Sequence, residues 1–137
     1  MGQEVNQSLL TGEFMFPNND HYKGEYLVNE DGKIERKGFG THKTSSGVVY
    51  TGYWENDKMN GNGELVYPTG ASYKGEFCDN YYDGSGTYTW PNQCVYKGSF
   101  SSGKLKGEGV FYDSQNQKWV GEFHYKAAPA LKFKLQL

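Results

Sequence analysis

From residue 12 onward the apolar positions of this chain recur in steps of two, and helical spacing fits none of the repeated stretches. In Tyr73, Gly75 and Phe77 a ring, a glycine and a second ring take alternate positions, with Lys74 and Glu76 between them. The first three therefore share one face of a strand and the charges take the other. Gly84, Gly86, Tyr88 and Trp90 keep the same parity. Short polar segments such as Glu55 to Asn60 and Ser101 to Lys106 lie between two such stretches and have the length of a hairpin loop. The pattern predicts β-hairpins.

The hairpin is a repeated unit. The phrase aromatic, x, Gly, x, aromatic stands at Tyr22, Gly24, Tyr26; Tyr50, Gly52, Trp54; Tyr73, Gly75, Phe77; Tyr96, Gly98, Phe100; and Trp119, Gly121, Phe123. The first aromatics are 28, 23, 23 and 23 residues apart. A Gly-x-Gly phrase follows at Gly61/Gly63, Gly84/Gly86 and Gly107/Gly109, and at Gly38/Gly40 in the first unit, where five extra residues account for the longer spacing. Gly12 to Tyr22 aligns with Gly63 to Tyr73, Pro17 falling against Pro68. Residues 12–125 thus read as a half unit, four full units and a half unit. Residues 1–11 are expected to be a flexible leader, and the insertion near Asp31 to Arg36 is expected in a solvated turn. In residues 126–137, Leu131, Phe133, Leu135 and Leu137 alternate with Lys132, Lys134 and Gln136, a stripe suited to capping the last hairpin or to binding a partner.

Glycine inside a strand weakens it unless its missing side chain makes room for something. A ring on one strand lying across the glycine of the next supplies that something. The expected fold is all-β: a single-layer, twisted antiparallel meander of nine or ten short strands, about 45 Å long at ~4.8 Å per strand. Composition agrees, since aromatics make up 17% of the 137 residues and glycine 19 of them, whereas Ile, Leu and Val total only 17. An ordinary aliphatic core cannot be built from that.

The units YTGYWENDKMNGNGELVYPTG, YKGEFCDNYYDGSGTYTWPNQ and YKGSFSSGKLKGEGVFYDSQN resemble MORN repeats, and the resemblance extends over about Gly12 to Phe123. The segment from Gly84 to Leu137 is also similar to a small vertebrate member of that family. The first unit departs from the pattern: His42 and Thr44 stand where an aromatic or leucine sits elsewhere. The resemblance implies a MORN-repeat sheet acting as scaffold or adaptor. It further implies a cytoskeletal, axonemal or motor-associated peptide as partner, and a setting in cilia, flagella or spermatogenesis. Some relatives are linked to membranes or phosphoinositides.

Charge and motif chemistry narrow the classes. The formal charge is -2 with no block of one sign, which removes the main drive for nucleic-acid binding. No apolar run approaches the ~20 residues of a membrane-spanning helix. Met1 to Leu10 lacks a basic n-region, so a cytoplasmic setting is expected. The Gly-x-Gly pairs lie inside strands instead of before a helix, which argues against a phosphate loop. His21, His42 and His124 fall in different units, at no metal-ligand spacing. Glu25, Glu76 and Glu122 repeat on the face opposite the rings and read as a solvated charged surface. Neither a catalytic cluster nor a cofactor is expected. Because one sheet layer cannot bury both faces, a subset of rings is expected to stay partly exposed and bind a protein partner: Trp54, Tyr67, Phe77, Tyr88, Trp90 and Phe100. The alternative is a weak anionic-membrane contact through Lys126, Lys132 and Lys134 beside the tail stripe.

Cys78 and Cys94 are 16 residues apart with no further cysteine, and a cytoplasmic chain keeps them reduced. Thiol titration of the denatured, unreduced protein should return two free thiols, and a result of zero would contradict the cytoplasmic expectation.

Overall fold

The computed structural model describes residues 8–124. Ten strands follow one another in chain order: β1 (Leu10–Met15), β2 (His21–Val28), β3 (Ile34–Lys43), β4 (Val49–Glu55), β5 (Lys58–Val66), β6 (Ser72–Cys78), β7 (Tyr81–Thr89), β8 (Val95–Ser101), β9 (Lys104–Tyr112) and β10 (Lys118–His124). They form one sheet in the order β1 to β10, every neighbouring pair antiparallel. This is the expected all-β meander. Two sequence expectations are corrected at its start. β1 opens at Leu10, inside the stretch assigned to a leader. The insertion is not all turn: residues 29–33 reverse the chain, while Ile34 to Arg36 pair with Val28, Leu27 and Tyr26. The expected tail stripe and its lysines lie outside the described residues.

Turn chemistry sets the hairpins. β4 and β5, β6 and β7, and β8 and β9 are joined by Asn56–Asp57, Asp79–Asn80 and Ser102–Gly103, all six residues at positive φ between 44° and 82°. Two successive left-handed residues make the tight turn whose twist matches the strands. The second residue of each turn also donates its N–H to the preceding hairpin, Asp57 to Arg36 O, Asn80 to Met59 O and Gly103 to Tyr82 O, which stitches unit to unit.

A line of ten glycines crosses the sheet. Gly12, Gly24, Gly40, Gly52, Gly63, Gly75, Gly86, Gly98, Gly109 and Gly121 each pair with the next. Over this line lie the first tyrosines of the four full units. A Cβ at Gly40, Gly63, Gly86 or Gly109 would come within 3.0 Å of the ring or hydroxyl of Tyr22, Tyr50, Tyr73 or Tyr96 respectively. These tyrosines are at most 2% exposed.

The same rings repair a local defect. In each full hairpin one residue of the first strand, Glu25, Tyr53, Glu76 or Ser99, faces three residues of the second, because the register slips just past the paired glycines. The first glycine of each Gly-x-Gly phrase takes up this bulge at positive φ, between 78° and 93° at Gly38, Gly61, Gly84 and Gly107. A bulge disrupts the ladder, and the hydroxyls of Tyr22, Tyr50, Tyr73 and Tyr96 donate to the carbonyls of Glu25, Tyr53, Glu76 and Ser99. Glu25 and Glu76, expected to be merely solvated, instead accept the bulge N–H groups of Phe39 at 2.7 Å and Ser85 at 2.6 Å.

Gly86→Val should therefore destabilise the protein by about 1 to 3 kcal/mol, the usual cost of overpacking, whereas Lys74→Val on the exposed face should be nearly neutral. Equal urea midpoints for the two variants would refute the ring-over-glycine packing.

Candidate functional site

The ring-bearing face is a continuous run of edge-to-face contacts. Tyr22 meets Trp54 at 5.7 Å, Trp54 meets Tyr50 at 5.0 Å, Tyr50 meets Phe77 at 5.1 Å, and Phe77 meets Tyr73 at 5.1 Å. Tyr73 continues to Phe100 at 5.0 Å and Phe100 to Tyr96 at 5.3 Å. Trp54, Phe77 and Phe100 are thus each wedged between the glycine-covering tyrosines of two units, an arrangement favourable to ring quadrupoles. The rings hide one another, which overturns part of the expectation that they stay exposed. Trp54, Phe77, Tyr88, Trp90 and Phe100 are only 3% to 6% exposed, and of the six predicted residues Tyr67 alone is half-buried. The sequence pattern fixed the face but not the depth, because cross-unit wedging depends on the bulges.

What a second molecule would meet on this face is a different set. Tyr26, Met59, Tyr67, Tyr82 and Leu105 are partly buried against the ring core. Met59, Tyr82 and Leu105 pair with Trp54, Phe77 and Phe100 directly after the bulges, a pairing that follows from the register shift and that strict alternation would give to Gly61, Gly84 and Gly107. Tyr82 stacks on Tyr73 at 4.0 Å and shares a 2.6 Å hydrogen bond with the Tyr67 hydroxyl. Burial pushes the phenols of Tyr22, Tyr73 and Tyr88 up to about 12, and also raises those of Tyr50, Tyr82 and Tyr96. All six are neutral and able to donate at physiological pH. The indole Nε1 of Trp54 donates to Gly40 O at 3.1 Å, while that of Trp90 is buried without a partner among the described residues.

The first unit breaks the apolar run with a charged knot. Arg36 occupies the place of Met59, Tyr82 and Leu105, and His42 that of Leu65, Tyr88 and Phe111. Arg36 donates from Nε to Asp57 Oδ1 at 2.6 Å and from Nη2 to Asp57 O at 3.0 Å, and its guanidinium lies 4.2 Å from the Trp54 ring centre. With Arg36 Nη1 3.0 Å from His42 Nδ1, that nitrogen must accept, so Nε2 carries the proton toward Asp20 at 2.9 Å. A cleft of about 470 Å³ opens beside the knot, walled by Phe16, Pro17 and Ile34 as well as its polar members. The anomalous His42 was visible in the sequence. Its partners were not, because Asp20, Arg36 and Asp57 come from three different hairpin segments. Among the described residues no group of three His, Cys, Asp or Glu side chains is placed to hold a metal ion.

The knot makes the fold sensitive to acid. The hydrogen bond from His42, followed by that from Ser45, holds the Asp20 carboxyl below the usual 3.8. Burial raises Asp57, yet the bonds from Arg36 outweigh it and the net direction is also down. A carboxyl with a depressed folded pKa stabilises above the unfolded value and loses that contribution as pH falls through the folded one. Stability should thus decline as pH drops below about 4, and Asp57→Asn should flatten that decline. An unchanged acid profile for Asp57→Asn would remove the ion pair from the account.

The MORN repeat pattern matches residues 50–72, 73–95 and 96–117, so the chain carries three MORN repeats in direct succession. No curated protein matches the chain, and the narrower likeness of Gly84 to Leu137 to one small member of the family gains no support. A solved structure of the Drosophila melanogaster SAS-4 TCP domain, in complex with a proline-rich motif of Ana2, aligns over 88% of this chain and 92% of that one. The identity is 16% and the TM-score 0.36, a likeness that says nothing of what this chain binds.

Proposed function

We propose that this MORN-repeat sheet is a non-catalytic scaffold that holds a peptide segment of a protein partner along its ring-bearing face. MORN repeats generally serve protein or membrane-lipid binding. The observation that carries the protein reading is the row of half-buried Tyr26, Met59, Tyr67, Tyr82 and Leu105 above a floor of buried rings. Such a row offers apolar contact with tyrosine hydroxyls among it, the composition enriched where proteins meet. Trp54, Phe77, Tyr88, Trp90 and Phe100 act from beneath, holding the row in place, with Tyr67 in direct contact. The charged knot closes one end of the row and distinguishes its two directions. A cytoplasmic setting, in a cilium or flagellum or in spermatogenesis, with a cytoskeletal, axonemal or motor-associated partner, belongs to the same proposal and comes from the family resemblance.

The test replaces Tyr82 or, on the opposite face, Lys74 with a photocrosslinking phenylalanine and irradiates the protein in extracts of ciliated cells. Position 82 should capture one dominant protein through a defined peptide, and position 74 should not. Capture from position 74 alone, or of lipid alone from both, would overturn the reading. A further Tyr82→Ala variant should bind the captured peptide at least tenfold more weakly, since aromatic anchors carry about 2 kcal/mol or more.

A further inference from the structure

We propose that the two outer strands of the described sheet are complementary, and that β10 of one molecule takes β1 of a second copy as its next strand, joining sheets head to tail. β10 carries the first phrase of a unit, Trp119, Gly121 and Phe123, whereas β1 carries the second phrase, with Gly12 and Phe14 aligned on Gly63 and Leu65. Within the described sheet every first-phrase strand but β10 is followed by a second-phrase strand, and every second-phrase strand but β1 is preceded by a first-phrase strand. Docked in the register of the inner hairpins, Gly121 would pair with Gly12 and Trp119 with Phe14. Tyr50 with Leu65, Tyr73 with Tyr88 and Tyr96 with Phe111 pair in that way within the chain.

The space at each edge fits this pairing. At Gly52, Gly75 and Gly98 a Cβ would come within 3.0 Å of the Cα of the glycine in the following strand, while at Gly121 nothing lies within 4 Å. Tyr22, Tyr50, Tyr73 and Tyr96 are at most 2% exposed, but Trp119, at the same place in its unit, is 53% exposed. At Gly12 no tyrosine of a preceding strand covers the backbone, and the rings of Phe14 and Tyr26 lean over it instead, forming the surface that Trp119 would meet. Leu10 stands where the inner units have their bulge glycine, so the pairing runs from the glycines toward Lys118 and Met15, the regular half of the hairpin. Because the two joined edges differ, each addition leaves the same two edges free, and the assembly is open instead of closed. The partner copy completes the last unit and extends the ring-bearing row past the joint through Phe14 and Phe16.

The full chain, with Cys78 and Cys94 replaced by serine, is followed by sedimentation velocity and by disulfide trapping. The average mass should rise with concentration beyond that of a dimer. Glu13→Cys combined with Val120→Cys, which the same register places opposite each other on the face away from the rings, should oxidise to a ladder of covalent oligomers, and either substitution alone should give none. Gly121→Val meets no neighbour within the sheet, so it should abolish association while leaving the melting temperature unchanged. A monomer at every concentration, as would follow if residues 125–137 already occupy the β10 edge, overturns the proposal. So does a covalent dimer from Val120→Cys alone, which would mean that β10 pairs with itself.

Discussion

The structure depends on a tyrosine laid flat across a pair of glycines. A single sheet has no opposing layer to bury its apolar face, so the burial must come from side chains of the sheet itself lying down on it. Only glycine permits that approach: at the four covered positions even one methyl carbon would meet the ring at less than contact distance. The ring then brings its hydroxyl to the carbonyl of the residue that faces the bulge. One side chain thus fills space, covers backbone and repairs the ladder, and its repetition every 23 residues makes a long sheet from local parts.

The bulge links this packing to recognition. By inserting two residues ahead of the paired glycines, each hairpin sets Met59, Tyr82 or Leu105, in place of the bulge glycine, opposite the second aromatic on the ring face. Those side chains remain half-buried and form the row available to a partner. In the first unit the same position holds Arg36, and the compensating partners Asp20, His42 and Asp57 arrive with it. Apolar repetition gives way there to a polar end stop, which gives an otherwise uniform row a direction.

Much of the fold was legible in residue spacing. Parity placed Tyr73, Gly75 and Phe77 on one face, the 23-residue period gave the meander, and the alignment of Gly12 with Gly63 located β1. The site was less legible for a physical reason. Alternation in a strand tells which face a side chain takes, not what covers it, and Trp54, Phe77 and Phe100 are covered by tyrosines of adjacent units. Tyr82 keeps the parity of Gly84 and Gly86, but it was missed because it precedes the Gly-x-Gly phrase, in the stretch that corresponds to the polar segments read as loops at Glu55 to Asn60 and Ser101 to Lys106. The charged knot escaped because its members come from the β1–β2 turn, β3 and the β4–β5 turn, which only the strand pairing brings together.

The covering ring and the covered glycine should be energetically coupled. A double-mutant cycle between Tyr50 and Gly63, read as urea-unfolding free energies, asks whether ring and glycine are two halves of one contact. The atoms nearest a Cβ at Gly63 all belong to Tyr50. The account predicts that Gly63→Ala is strongly destabilising with Tyr50 in place and much less so, or stabilising, once Tyr50→Leu has cleared the space. Equal costs in the two backgrounds would contradict it.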